Sequence, residues 1–381
     1  MSNNLIKISA MKKINIGLVT AWGECGMGYL AKNWVYTLDK FQDKINLQIF
    51  SRAKEWLTPY RWKGDNIVQG PESMDINNST FWNWIESFKP DIILFQDQNI
   101  YSKSFMKEES MRLKKLGIKL INYPDSIHWG ELEKHPGIYH TSIAHIKRNY
   151  SWLKDYKIDN PVFIPWGVIT KNFPFKERQV KDKVKFYINI GTGTPRKGYN
   201  LLPKSINKIS QKSSYRKENY DYKFIAPAIK DSNNRINNNF IKFFNNHEKC
   251  ELIFKTADNT KGGLFNLGDI YIYPTHMEGV GLTITESMSC GMPVVTSNFS
   301  TMNEWIDDNV DGRLIDLSKI KKGRRPTMKV YADINHISEI MIDYIKNPDK
   351  VNQHSINARK KIEKCYNWDD RDQDFLNLIT L

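Results

Sequence analysis

Short β-rich runs alternate with longer helix-compatible stretches along this chain, and the series runs through twice. In the first half, Ile14–Val19, Asn46–Phe50, Asp91–Phe95 and Ile118–Tyr123 read as buried strands. "NPVFIPWGV" (160–168) reads as a further strand entering a Pro/Gly turn. The series restarts with "VKFYINIGTGTPRKGYN" (184–200), a strand, a glycine loop and a helix start. Later strands are expected in "YKFIAP", "CELIF", "DIYIYP" and "PVVTS". A parallel strand pair needs a crossover long enough to hold a helix, so this alternation predicts helix-covered parallel sheets. Two series predict an α/β chain of two doubly wound, Rossmann-like domains with a cleft between them.

The expected division is 1–170 for the first domain and 171–355 for the second. A C-terminal helix over about 356–381 would pack back on the first. The joining piece near 170–182 is charged and contains proline, as a linker should. "SQKSSYRKENYD" (210–221) and "KDSNNRINNN" (230–239) read as solvated loops. A length of 381 residues suits two cores rather than one. The four cysteines show no metal-ligand spacing and read as reduced thiols. No stretch approaches the roughly 20 apolar residues of a membrane span, and the N-terminal apolar run suits a buried strand better than a signal peptide. The expectation is a cytoplasmic protein. The net charge of +14 would attract anionic partners, or it is simply the composition of a Lys-rich chain whose one basic cluster is "KIKKGRR" at 319–325.

Chemistry concentrates in "THMEGVGLTITESMSCGMPVVTS" (275–297). A strand leads into a glycine loop, and the loop opens a short helix. Free backbone N–H groups at such a helix start suit a phosphate or diphosphate. Gly279 and Gly281 let phosphate oxygens approach without an intervening Cβ. Glu286, about one turn into the helix, can accept paired hydrogen bonds from a ribose diol. Glu278, before the glycines, can meet the hydroxyls of a second sugar. The alternative is a loop surface charge at 278 and a solvated helix face at 286.

Glu278 and Glu286 with "EGVGLTITE" between them resemble the E-x7-E signature of the GT4 family of retaining glycosyltransferases, which have the GT-B fold. "FIPWGVITKNFPF", "INIGTGTPRKGYNLL" and "GMPVVTSNFSTMNEWIDDNVDGRLI" resemble further family segments, colinearly over about 160–315. Over 1–150 the resemblance is weaker, carried by "INIGLVTAWGECGMGYLAKNWVYTL" and "FKPDIILF". The resemblance implies a nucleotide-sugar donor bound by the second domain and a carbohydrate, lipid-linked or other hydroxyl acceptor bound by the first. It implies that Glu286 binds the donor ribose and Glu278 the transferred sugar. Gly279, Val280, Gly281 and Leu282 would hold phosphate through their backbone, with Gly191 and Gly26 in the other glycine loops beside the donor. Lys197 matches the lysine that contacts the donor diphosphate, where a fixed ammonium stabilises the leaving group. Neither a metal nor another cofactor is then required. Lys197 as an ordinary surface lysine is the alternative.

Two departures stand out. Thr192 occupies a position where family members carry an arginine, and Arg196, four residues on, is the candidate to replace it. The first-domain strand "KLINY" runs into Pro124-Asp125, with His128 three residues later, where the family has His-Asp or His-Gly. Asp125 matches, while His128 is either catalytic or structural. Trp22 and Trp129 follow strand ends, where an indole either stacks on an acceptor sugar or packs in the core. A dinucleotide-binding enzyme does not fit, because "GECGMG" has its glycines in the wrong order and "GTGTPR" lacks the third. A glycosidase pair does not fit either, since a phosphate loop separates the carboxylates. Two rivals remain: a catalytically silent homologue that binds glycans or assembles with other chains, and a nucleic-acid-binding protein suggested by charge alone. The Thr192 departure keeps the first alive, while nothing in the motif order favours the second, so no nucleic-acid partner is expected. Peripheral contact with an anionic membrane is compatible with the charge.

Overall fold

The computed structural model describes residues 12–53, 55–76, 78–97, 108–124, 137–180, 183–190, 193–211, 221–228, 236–254, 260–322 and 328–380. It divides into two compact units, Met1–Ala144 with Tyr150–Ile164 and Asp372–Leu381, and His145–Asn149 with Pro165–Arg371.

The first unit is built on a parallel sheet of β1 (Ile14–Thr20), β2 (Ile45–Ser51), β3 (Ile67–Gln69), β4 (Ile92–Gln96), β5 (Lys119–Tyr123), β6 (Thr141–Ala144) and β7 (Pro161–Phe163). Its order is β3-β2-β1-β4-β5-β6-β7, so the chain steps outward from β1 to one edge and then to the other. That reversal makes the sheet doubly wound, with a switch point beside β1. Aromatic residues fill one core: Phe50, Phe81, Trp84 and Phe95 are at most 3% exposed. Gly17 makes room for one of them, since a Cβ there would lie 2.6 Å from the Trp84 ring. Trp34 packs edge-on to Tyr123 at 5.5 Å and beside Phe375 of the final helix, Asp372–Thr380. Asp372 fixes that helix by accepting hydrogen bonds from Thr37 and Lys40. The preceding helix, Asp349–Cys365, belongs to the second unit.

The second unit repeats the pattern with β8 (Lys183–Tyr187), β9 (Asp221–Ala228), β10 (Cys250–Phe254), β11 (Ile270–Tyr273), β12 (Val294–Ser297) and β13 (Gly312–Ile315). The order β10-β9-β8-β11-β12-β13 has the same reversal, and every pairing is parallel. A separate antiparallel hairpin joins β14 (Leu317–Lys321) to β15 (Lys329–Ala332). No helix among the described residues is long and apolar enough to cross a membrane.

Three local expectations need correction. β3 and β6, three and four residues long, were absent from the expected strands. Residues 238–239, read as loop, begin a helix (Asn238–Asn246) capped by the Asn237 side chain, which accepts from the amides of Asn239 and Phe240. Arg178, read as part of a charged linker, is 2% exposed and donates to the carbonyls of Phe265, Cys290 and Gly291. Arg359 donates to the neighbouring Ser289 carbonyl. Two cations thus sit at the C-terminal end of the Leu282–Ser289 helix, where its dipole favours positive charge.

Candidate active site

Two loops at the C-terminal ends of β8 and β11 meet around one carboxylate. After β8, the chain turns through Pro195–Lys197 and reaches Gly198 at φ +71°. A side chain is excluded at Gly198 because a Cβ would stand 1.9 Å from the Pro274 carbonyl oxygen. That close approach seats Arg196 and Lys197 against the end of β11. The Arg196 carbonyl accepts from the His276 amide at 2.8 Å and from Thr275 Oγ1 at 3.1 Å, which ties the loops together.

Glu278 is the shared partner, its side chain 10% exposed. Its Oε1 lies 2.7 Å from Arg196 Nη1 and 3.8 Å from Lys197 Nζ. It accepts hydrogen bonds from Thr275 Oγ1 at 2.8 Å and from the Tyr273 hydroxyl at 2.5 Å. Lys197 Nζ in turn donates to the Tyr273 hydroxyl. Burial opposes charge on Glu278, but Lys197, Arg196 and Tyr273 together outweigh it and hold the carboxyl at about 2. Burial lowers Lys197, Arg196 lowers it further, and Glu278 and Glu286 oppose that shift. Burial also pushes Glu286 up to about 7, against the pull of Lys197.

Beyond Glu278 the backbone turns its carbonyls inward. Thr301 Oγ1 donates to the carbonyls of Glu278 and Gly279, at 3.0 and 2.8 Å. Trp305 Nε1 donates to Val280 at 2.8 Å, and Arg148 Nη2 donates to Glu278 at 3.3 Å. Gly281, at φ +81°, then starts the Leu282–Ser289 helix. The amides of residues 279–283 have no acceptor among the described residues. A row of free N–H groups at a helix start, beside two cations, can hold an anion with several oxygens.

Arg196, Lys197, Glu278 and the 279–282 backbone are therefore brought together, and the charge of Lys197 acts on Glu286 without a direct contact between them among the described bonds. Gly26 lies in the first unit, exposed at the start of the Gly26–Asp39 helix. Trp22 is 8% exposed and meets Trp62 edge-on at 5.1 Å. Asp125, His128, Trp129, Gly191 and Thr192 lie outside the described residues. Sequence reasoning missed Tyr273, Thr275, Thr301 and Trp305. A polar tip on each of the last two residues flanking Pro274 was the available signal for the first two. Nothing local marks Thr301 and Trp305, which lie more than twenty residues from the carbonyls they hold.

A model of the family described as glycosyl transferases group 1 matches residues 170–361, half of the chain. Among curated proteins, sucrose synthase 5 of Arabidopsis thaliana is 30% identical over 116 residues, 30% of this chain and 12% of that protein. The matched segments of the curated relatives span only 11–12% of their own length. Among solved structures, sucrose-phosphate synthase from Thermosynechococcus elongatus superposes with a TM-score of 0.73 at 13% identity, covering 96% of this chain and 98% of that one. Anabaena HepE, solved with UDP and glucose, gives 0.70 at 12% identity, covering 96% and 99%. These likenesses bear out the expected GT-B architecture of two parallel-sheet α/β domains. With its site-bearing half matched by the family model, the chain belongs to the glycosyl transferases group 1 family.

Proposed function

We propose that this protein transfers a sugar from a nucleoside-diphosphate-sugar to a hydroxyl acceptor, with retention of anomeric configuration and without a metal ion. UDP is the first candidate nucleotide, because HepE was solved with it. The carrying observation is the juxtaposition of Arg196, Lys197 and Glu278 with the free amides of 279–283.

In this reading the amides and the two cations take the diphosphate, Glu286 accepts from the ribose diol, and Glu278 accepts from hydroxyls of the transferred sugar. Lys197 and Arg196 stabilise the charge that grows on the leaving diphosphate as the glycosidic C–O bond breaks. The acceptor oxygen bonds to the same face of the sugar, and its proton passes to the departing phosphate. No side chain is assigned as nucleophile. The first unit binds a carbohydrate or lipid-linked acceptor in this reading, with Trp22 assigned as an acceptor contact and Gly26 as a donor contact by the family resemblance. Asp125 and His128 are assigned to catalysis, Trp129 to the acceptor and Gly191 to the donor by the family resemblance alone. Peripheral contact with an anionic membrane belongs to the same reading.

Thermal shift against a panel of nucleoside diphosphates and their sugars tests it, because a ligand that binds the native state raises the midpoint by mass action. A midpoint raised by one nucleotide, with release of sugar from its sugar-linked form, is expected. Midpoints unmoved by every nucleotide would overturn the proposal. Tight binding with neither hydrolysis nor transfer would leave a binding subunit instead.

A further inference from the structure

The hairpin β14–β15 stands outside the second unit's main sheet. Its register pairs Lys321 with Lys329, Ile320 with Val330, and Lys319 with Tyr331. Directly paired residues share a face of the ladder, so Lys319, Lys321, Lys329 and Tyr331 lie on one face. Val330, on the opposite face, is fully buried. All three lysines are exposed, and none has a carboxylate partner among the described residues. Of the nearby acids, Asp333 accepts from the amides of Asn335 and His336, while the exposed Asp316 carboxylate lies 3.1 Å from His336 Nδ1, which itself accepts from the Asp316 amide.

Like charges directly opposite on a ladder repel, so Lys321 facing Lys329 weakens the hairpin unless an anion neutralises them. One lysine is enough to blunt an edge strand against aggregation. Three on one face, with an aromatic ring among them, exceed that need. Lysines beside a tyrosine suit the plane of an anionic bilayer, where ammonium groups meet headgroup phosphates and the ring lies at the interface. The hairpin also reaches the candidate site, because the Val330 amide donates to the His276 carbonyl, two residues before Glu278.

We propose that the Lys319, Lys321 and Lys329 face is the surface by which this protein docks on an anionic phospholipid bilayer, keeping the site beside the membrane. The link to a lipid-borne acceptor rests on the proposed transferase activity; the docking does not.

Cosedimentation of the full chain with vesicles of phosphatidylcholine and phosphatidylglycerol tests this, with phosphatidylcholine vesicles and duplex DNA as comparisons. One variant carries Lys319→Gln, Lys321→Gln and Lys329→Gln. A second removes the same charge at exposed sites elsewhere, by Lys44→Gln, Lys115→Gln and Lys204→Gln. At roughly fivefold per lysine near the surface, the hairpin variant should bind anionic vesicles on the order of 10²-fold more weakly. The second variant should lose only a few-fold. The second variant should keep the wild-type melting midpoint, the hairpin variant should hold or slightly raise it as the Lys321–Lys329 repulsion is relieved, and both should keep nucleotide affinity. Equal losses in the two variants, equal binding to neutral vesicles, or tighter hairpin-dependent binding to DNA would each overturn the proposal. Nucleotide affinity is read separately, so failure of the donor site and failure of docking remain distinct.

Discussion

Tyr273 donates its phenolic hydrogen bond to Glu278 Oε1 at 2.5 Å, while the same phenol oxygen accepts from the Lys197 ammonium. The ring is 1% exposed and stacks on Tyr271 at 4.8 Å, so the hydroxyl has one position to occupy. One buried hydroxyl thereby fixes a cation and an anion together.

Tyr273→Phe keeps the ring and removes both bonds. It leaves a buried ammonium and a buried carboxylate one partner short, a cost of about 1–3 kcal/mol. The melting midpoint should fall by a few degrees. Turnover should fall further, with the donor KM changing less than kcat, because Lys197 loses its fixed position. A midpoint loss with unchanged turnover would make Tyr273 a packing residue only.

Glu286 should make nucleotide binding sensitive to pH near neutrality. Its carboxyl is raised to about 7 by burial, so the folded state favours the neutral form. Stability that this form contributes is present at low pH and is lost as pH rises from the ordinary carboxylate range through about 7. Accepting two ribose hydroxyls favours the ionised form, so affinity for the nucleoside diphosphate should rise with pH through the same window. Glu286→Gln should flatten that rise, leaving only the ionisation of the diphosphate itself. Glu286→Ala should weaken binding by about 1–3 kcal/mol. Parallel pH curves for the wild type and Glu286→Gln by calorimetry would remove Glu286 from the ribose role.

Much of this was legible in sequence, and the reason is local. β11, the glycine loop and the following helix form one continuous segment, so the order of carboxylate, glycines and helix could be read directly. Gly198 follows Lys197 within the quoted "GTGTPRKGYN" stretch, but the reason for a glycine there, the Pro274 carbonyl 1.9 Å from a hypothetical Cβ, needed three dimensions. Arg178 misled because charge in a linker suggests solvent. Buried carbonyls outweighed that tendency: Cys290 and Gly291 at the helix end, and Phe265 from a neighbouring turn, offer three hydrogen bonds. β3 escaped because three residues at a sheet edge carry too short a periodicity, and β6 because Thr141 and Ser142 break its apolar run. The inward carbonyls of 278–280 depend on Thr301 and Trp305, which only the tertiary fold brings near.

Two glycine substitutions should behave oppositely. Gly198→Ala forces a left-handed residue to carry a Cβ against backbone, costing at least about 1–2 kcal/mol for the conformation alone. It should lower the midpoint and displace Lys197, so activity should fall with it. Gly26→Ala meets nothing within 4 Å of the new Cβ and sits in a helix, so its midpoint should hold or rise slightly. Any loss of donor affinity in Gly26→Ala then reports a phosphate approaching that backbone. An unchanged midpoint in Gly198→Ala, measured by calorimetry, would refute the close approach.

Transfer should survive chelation, because the charge of the donor diphosphate has protein partners in reach. Lys197 and Arg196 bring two cations to one carboxylate, and a leaving diphosphate can draw on both. The amides of 279–283 and the start of the Leu282–Ser289 helix add fixed partial positive charge. The adjacent acids Asp307 and Asp308 are taken by other side chains: Lys361 Nζ lies 2.8 Å from Asp307, and Arg313 Nε lies 3.2 Å from Asp308. Sugar release or transfer should therefore persist in excess EDTA, with at most a modest loss if Mg²⁺ assists product release. Lys197→Ala should instead lower turnover by about 10²–10³, the usual loss of one preorganised electrostatic group. Adding Arg196→Ala should deepen that loss. Activity abolished by EDTA and restored by Mn²⁺ or Mg²⁺, in a protein whose Lys197→Ala variant keeps full turnover, would place the diphosphate elsewhere.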